Sequence, residues 1–166
     1  MLRPIILIFC AFMTLNVNAR DITLKLPNCE YTLKLPVEPD VKVGRTAFGT
    51  ALGPSMVARL NQRVPAYRIE CQGFSSLPPN GREAMIGDTE AQIAALGLKD
   101  MQKTLKRTRL GVVIEFSGTQ RTAGRLFVVS GRNFLGRRSF MSVVTTESAK
   151  TYPSAETTRV LNSVAR

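Results

Sequence analysis

The chain is defined first by the chemistry its side chains lack. Histidine is absent from all 166 residues. That removes Ser-His-Asp and Cys-His nucleophile pairs, the commonest general base and every histidine-containing zinc site. Gly44 and Gly49 have the spacing of a phosphate loop but no following Lys-Ser/Thr. Neither a dinucleotide fingerprint nor the Gly-x-Ser-x-Gly elbow of hydrolases occurs. Acid–base work would fall to carboxylates. Glu115 is the one charge in the apolar run 112–116, and Glu70 lies in the alternating run 66–72. Alternation puts each on the face opposite its apolar neighbours, which reads as the solvated side of a sheet. A hydrolase or lyase built on the two would need them to converge in a pocket. The chain is read as a non-enzyme with no metal or cofactor, and a small-ligand carrier with a cleft between sheet and helices is the alternative.

Basic residues form the stronger constellation. Between residues 107 and 146 stand Arg107, Arg109, Arg121, Arg125, Arg132, Arg137 and Arg138, against the single acid Glu115, a local balance of +6. All seven are arginine, whose planar fork suits bidentate contact with carboxylate or phosphate. Arg121 falls in one expected turn; Arg132, Arg137 and Arg138 surround Gly131 and Gly136 in a second, with Phe134 and Leu135 at its exposed tip. The expected binding set is therefore Arg121, Arg125, Arg132, Phe134, Arg137 and Arg138. Such a tip fits an anionic membrane surface or an anionic envelope protein. The plainer reading is a solvated turn whose charges keep a sheet edge from aggregating.

The compartment follows from the N-terminus. Met1-Leu2-Arg3 is a short basic start, residues 5–15 are almost wholly apolar, and Val17-x-Ala19 is a signal-peptidase ending. The apolar run is shorter than the ~20 residues a spanning helix needs. Residues 1–19 are expected to be a cleaved signal peptide, and residues 20–166 a single exported domain, in the periplasm if bacterial. Cleavage removes Arg3 and no acid, leaving 22 basic and 12 acidic residues, a net +10. Export argues against nucleic acid as the partner, and no aromatic-studded strand of the RNA-binding kind occurs. Cys29 and Cys71 are the only cysteines left, which in an exported protein predicts a disulfide, with two separately buried thiols as the alternative.

The elements that must position these residues can be outlined. Ile22-Thr23-Leu24-Lys25-Leu26-Pro27 is echoed by Tyr31-Thr32-Leu33-Lys34-Leu35-Pro36, two alternating copies that read as a hairpin with Cys29, Tyr31, Leu33 and Leu35 on one face. Val41-Lys42-Val43 reads as a short strand; residues 55–63 fit a helical turn or an edge strand equally. Residues 75–82 read as a loop and residues 88–107 as the main helix, opened by a Thr89/Gln92 capping box, with Gly97 as a point where it could divide. A three-stranded antiparallel meander over 110–146 follows, then a closing helix over 154–164. Strands, helix, strands, helix in that order predict an α+β fold, an antiparallel sheet covered by helices.

The glycine-punctuated meander, followed by Thr151-Tyr152-Pro153-Ser154-Ala155-Glu156 and a short helix through Val160-Leu161-Asn162-Ser163, resembles the end of PsbP-like and DcrB-like proteins. Leu33-Lys34-Leu35-Pro36 matches an early strand of those chains that closes on proline. The resemblance spans residues 31–164 in outline. It implies an α/β/α sandwich and a non-catalytic accessory or assembly role, often in exported bacterial proteins. This chain departs from it in lacking tryptophan and an aromatic ending to that first strand. The resemblance carries over no catalytic residue.

Overall fold

The computed structural model describes residues 21–44, 55–60, 64–77 and 79–166. The expected signal peptide lies outside them. Nine strands and two helices are described: β1 (Ile22–Lys25), β2 (Thr32–Leu35), β3 (Asp40–Gly44), β4 (Ser55–Leu60), β5 (Ala66–Gly73), α1 (Gly81–Ala95), β6 (Lys99–Thr108), β7 (Gly111–Thr122), β8 (Arg125–Leu135), β9 (Ser139–Ser148) and α2 (Ala155–Asn162). The fold is α+β, as expected. The β1–β2 hairpin stands apart, and the remaining strands form one antiparallel sheet in the order β3-β4-β5-β9-β8-β7-β6. Residues 55–60 are thus a strand, not a helical turn.

Both faces of that sheet are covered. On one side Met85 and Ile93 of α1 pack with Val112, Ile114, Phe116, Val129 and Phe140. On the other, the hairpin and α2 bring Tyr31, Leu33, Leu35, Val160 and Val164 onto Tyr67, Ile69 and Val143. Double coverage explains why β7 and β8 read as nearly unbroken apolar runs. One close fit pins their register. Gly131 pairs with Phe116 across the strands, and a Cβ on Gly131 would strike the Phe116 ring.

The expected main helix is corrected in both directions. α1 begins in the segment expected to be a loop, directly after Asn80, whose φ of 60° is left-handed. Its buried stripe is Gly81, Met85, Thr89 and Ile93, spaced by four. Thr89 is therefore no cap: its hydroxyl donates to the Met85 carbonyl one turn back. The helix stops at Gly97, whose φ of 61° is the left-handed terminator that glycine adopts without strain. Residues 99–108, expected to be helical, form the exposed edge strand β6, so the meander has four strands, not three. Lys99, Lys103, Lys106 and Arg107 charge that edge, the usual defence against pairing with another chain.

The closing helix is where the sequence puts it. The Ser154 hydroxyl caps it by accepting from the Thr157 N–H. Beneath that cap Glu147, fully buried, accepts from the Ser154 N–H at 2.8 Å and the Thr157 hydroxyl at 2.6 Å. A buried carboxylate with these donors at a helix N-terminus ties the end of β9 to α2.

Cys29 and Cys71 form the expected disulfide, with Cα atoms 5.9 Å apart, joining the hairpin to β5 inside the core. The bridge spans 42 residues of sequence. Cys29→Ser with Cys71→Ser is expected to cost about 4 kcal/mol by the chain-entropy relation. Urea unfolding of parent and double variant measures it, and reductant should lower the parent's midpoint while leaving the variant's unchanged.

Candidate functional site

Antiparallel connectivity decides where the arginines go. The β6–β7 and β8–β9 turns lie at one end of the sheet, and the β7–β8 turn at the other. The expected binding set is therefore divided. Arg121 and Arg125 flank the β7–β8 turn, where Ala123 and Gly124 both have positive φ, and both side chains are exposed. Arg137 and Arg138 are exposed in the β8–β9 turn at the opposite end.

Arg132 and Phe134 belong to neither turn. β8 continues through Leu135, so the expected tip is a strand end. Phe134 is 2% exposed, in the core against the Tyr31 ring at 5.6 Å, and Leu135 is buried on the other face. Two apolar residues in a strand covered on both sides go inward whichever way they point, so no apolar tip exists.

Arg132 is a clamp. Its Nε pairs with Glu115 Oε1 at 2.9 Å on the neighbouring strand. Its Nη1 donates to the Leu161 carbonyl at 3.0 Å and the Asn162 side-chain oxygen at 2.8 Å, where α2 ends. Lys106 reaches the other Glu115 oxygen at 2.6 Å. The bonded Lys106 ammonium holds the Glu115 carboxyl below its ordinary range, assisted by Arg132 and opposed by partial burial. Glu115 is thus half-buried within a charged network rather than solvated.

The two carboxylates do not converge. Glu70 pairs in register with Ser142, Ser142 with Asn133, and Asn133 with Ile114. Glu70 therefore shares a face with Ile114, and Glu115, one residue on, faces the opposite way. Glu70 is not solvated either. It points under α1, its side chain 14% exposed, with Arg68 at 3.2 Å. Burial pushes its carboxyl above the ordinary range, and Arg68 only partly offsets that.

The end bearing Arg137 and Arg138 gathers more arginine than the sequence indicated. Arg109 is exposed in the abutting β6–β7 turn, and Arg107 at the end of β6. Arg82, from the first turn of α1, donates to the Gly136 carbonyl at 3.3 Å. Arg166 pairs with Glu30 at 2.8 Å and lies over the Tyr31 ring at 5.5 Å. Glu30 itself is taken up structurally, accepting from the backbone N–H groups of Arg138 and Ser139. Tyr31 donates to the Leu110 carbonyl at 2.6 Å, fixing the hairpin against the β6–β7 turn. A Cβ on Gly136 would meet the Glu30 carboxylate and the Tyr31 hydroxyl, so glycine is required by this close approach. Among the described residues, no carboxylate forms an ion pair with Arg107, Arg109, Arg137 or Arg138. Arg82, Arg166 and Glu30 were not singled out by sequence, because only the hairpin and C-terminus folding onto this end bring them together.

These features define a doubly covered antiparallel α+β protein with an arginine-rich sheet end. No protein-family model matches the chain, and a comparison with curated proteins finds no relative. Among the described residues no helix is long and apolar enough to cross a membrane.

Two kinds of arginine follow, with different consequences. Arg132→Ala is expected to cost roughly 2 kcal/mol of stability, since it leaves a half-buried carboxylate and the end of α2 short of donors. Arg137→Ala should stay within about 0.5 kcal/mol of the parent. Denaturant unfolding of both distinguishes them. Because the folded-state pKa of Glu115 is depressed, its contribution is present above the ordinary carboxylate pKa and lost as pH falls through the folded value. Glu115→Gln should therefore be less stable than the parent at neutral pH, by about 1 kcal/mol, with the gap closing in acid.

Proposed function

We propose that this is a non-catalytic, exported accessory protein, periplasmic in a bacterium, whose arginine end docks on an anionic surface. The phosphates of an anionic membrane are the first partner, and an acidic envelope protein is the alternative. The observation that carries the reading is the set Arg107, Arg109, Arg137 and Arg138, exposed at one sheet end and without carboxylate partners among the described residues. Four exposed guanidinium groups, one at a strand end and three in the adjoining turns, suit bidentate contact with phosphate. The disulfide and the lack of a long apolar helix among the described residues are compatible with export. A kinship with PsbP-like and DcrB-like proteins is part of the proposal, supported by helices on opposite faces of an antiparallel sheet.

Burial of Phe134 and Leu135 gives the contact a particular character. With no apolar side chain at the turn to insert, attachment rests on charge and lies within a Debye length, ~10 Å at 0.1 M salt. Co-sedimentation with vesicles rich in anionic lipid should show binding to them and not to neutral vesicles. Raising salt to about 0.5 M should abolish it. An Arg109→Ala/Arg137→Ala/Arg138→Ala variant should lose at least tenfold in affinity while unfolding like the parent. Equal binding by the variant, or binding indifferent to salt, would overturn the reading. No binding to vesicles together with retention on immobilised polyglutamate would move the partner to an acidic protein.

A further inference from the structure

A cleft of about 340 Å³ lies between α1 and the sheet, away from the arginine turns. That is at the small end of the ~300–1,000 Å³ typical of ligand sites. Its helix side is formed by Thr89, Gln92, Ile93 and Leu96, and Phe116 and Val144 contribute apolar floor. Across the floor runs a polar row. Glu70, Ser142 and Asn133 are successive register partners on β5, β9 and β8, so their side chains stand side by side facing the helix. Around it the face is mostly apolar, with Val112, Ile114, Leu135 and Phe140 packed under α1, although Gln72, two residues from Glu70, is also buried there.

Folding does not account for that row. Asn133 is 5% exposed, lines the cleft, and among the described residues its side-chain amide has no hydrogen-bond partner. Its amide atoms open onto the cleft rather than being sealed in the core, so a ligand or water there can bond them. Glu70 is nearly buried; Arg68, itself 52% exposed, bonds it, and Arg59 adds a second, weaker attraction. Burial raises the Glu70 carboxyl, so its ionised form opposes folding at neutral pH. A leucine row here would pack better under α1. Unspent polar capacity in an apolar cleft marks a binding site.

The arrangement selects the ligand's chemistry. The deeper charge is negative, and the neighbouring Asn133 oxygen and Ser142 hydroxyl can accept hydrogen bonds. Arg68, half-exposed at the rim, is the cation that an incoming ammonium would displace from Glu70. We propose that the cleft beneath α1 binds a small amphipathic amine, its ammonium held by Glu70 and Asn133 and its apolar body against Ile93, Leu96 and Phe116. The site is independent of the anionic docking surface, on a different part of the molecule and of opposite charge preference.

The test titrates 2-phenylethylamine into the disulfide-bonded protein, followed by calorimetry and by amide shifts in NMR. 3-Phenylpropionate, with the same ring and a carboxylate head, is the control. The amine should saturate, shift resonances of β5, β8 and α1, and bind at least tenfold more tightly than the acid. Glu70→Gln should weaken amine binding at least tenfold. This variant removes a charge whose burial opposes folding, so it is expected to fold. Leu96→Trp, at a half-exposed position on the cleft wall, should weaken binding by occupying the space. Failure of the amine to saturate, equal binding of the acid, or undiminished binding by both variants would overturn the proposal. The triple arginine variant should bind the amine like the parent, so the outcome is read separately from membrane docking.

Discussion

Side-chain parity across a doubly covered antiparallel sheet decides where every charge in this protein can go. Neighbouring strands are in register, so one residue's direction fixes that of its partners across the sheet. Val112, Ile114 and Phe116 face α1, which sends Val113 and Glu115 to the α2 side. The same rule carries Ile69 toward the hairpin and Glu70 under α1. With helices or a hairpin on both faces, neither direction leads straight to water. A charged residue in the central strands must therefore find a partner or line a space.

Glu115 and Arg132 take the first course. They stand opposite each other on β7 and β8, and Arg132 also donates to the Leu161 carbonyl at the end of α2. A carbonyl in the last turn has no N–H donor within the helix, so a cation there satisfies both the helix end and the sheet. Glu30 plays the equivalent part for the hairpin, engaging the N–H groups of the β8–β9 turn. Glu147 does so at the N-terminus of α2. Three acids thus dock two peripheral elements onto the sheet, the hairpin and both ends of α2. Because the acids are spent internally, a chain with 23 basic and 12 acidic residues is left with an even more basic exterior.

What could be read from the sequence was whatever depended on short-range alternation. The two Thr-Leu-Lys-Leu copies pair as a hairpin, and both cysteines point inward because Tyr31, Leu33 and Tyr67, Ile69 share their faces. α2 was legible because Ser154 caps it and Thr157, Val160 and Val164 are spaced helically. Residues 88–107 misled because Ile93, Leu96, Met101 and Leu105 approximate a helical stripe across Gly97. Only Ile93 lies on the helix, Leu96 being its C-cap; Met101 and Leu105 are exposed on β6. The turn over 131–138 misled differently. Gly131 reads as turn chemistry, yet it is glycine because Phe116 lies over it within the sheet. The arginine end was half legible: Arg137 and Arg138 are local turn residues, whereas Arg82 and Arg166 reach it through tertiary contacts. The polar row of Glu70, Ser142 and Asn133 was not legible, since its members belong to three strands and only pairing aligns them.

Charge and cavity are divided in a way that follows from the topology. Sheet ends are made of turns, where exposed charge costs no packing, so the unpaired arginines collect there. Sheet faces are stabilised by burial, and polar side chains there need hydrogen-bond partners, as Ser130 and Thr145 provide for each other. α1 links the two regions. Its first turn contacts the β8–β9 turn through Arg82 and Gly136, while its last two turns wall the cleft through Thr89, Ile93 and Leu96. The helix is buried along its length through Gly81, Met85, Thr89 and Ile93, so a ligand in the cleft would meet its anchored face, while Glu30 and Tyr31 fix the arginine turns separately.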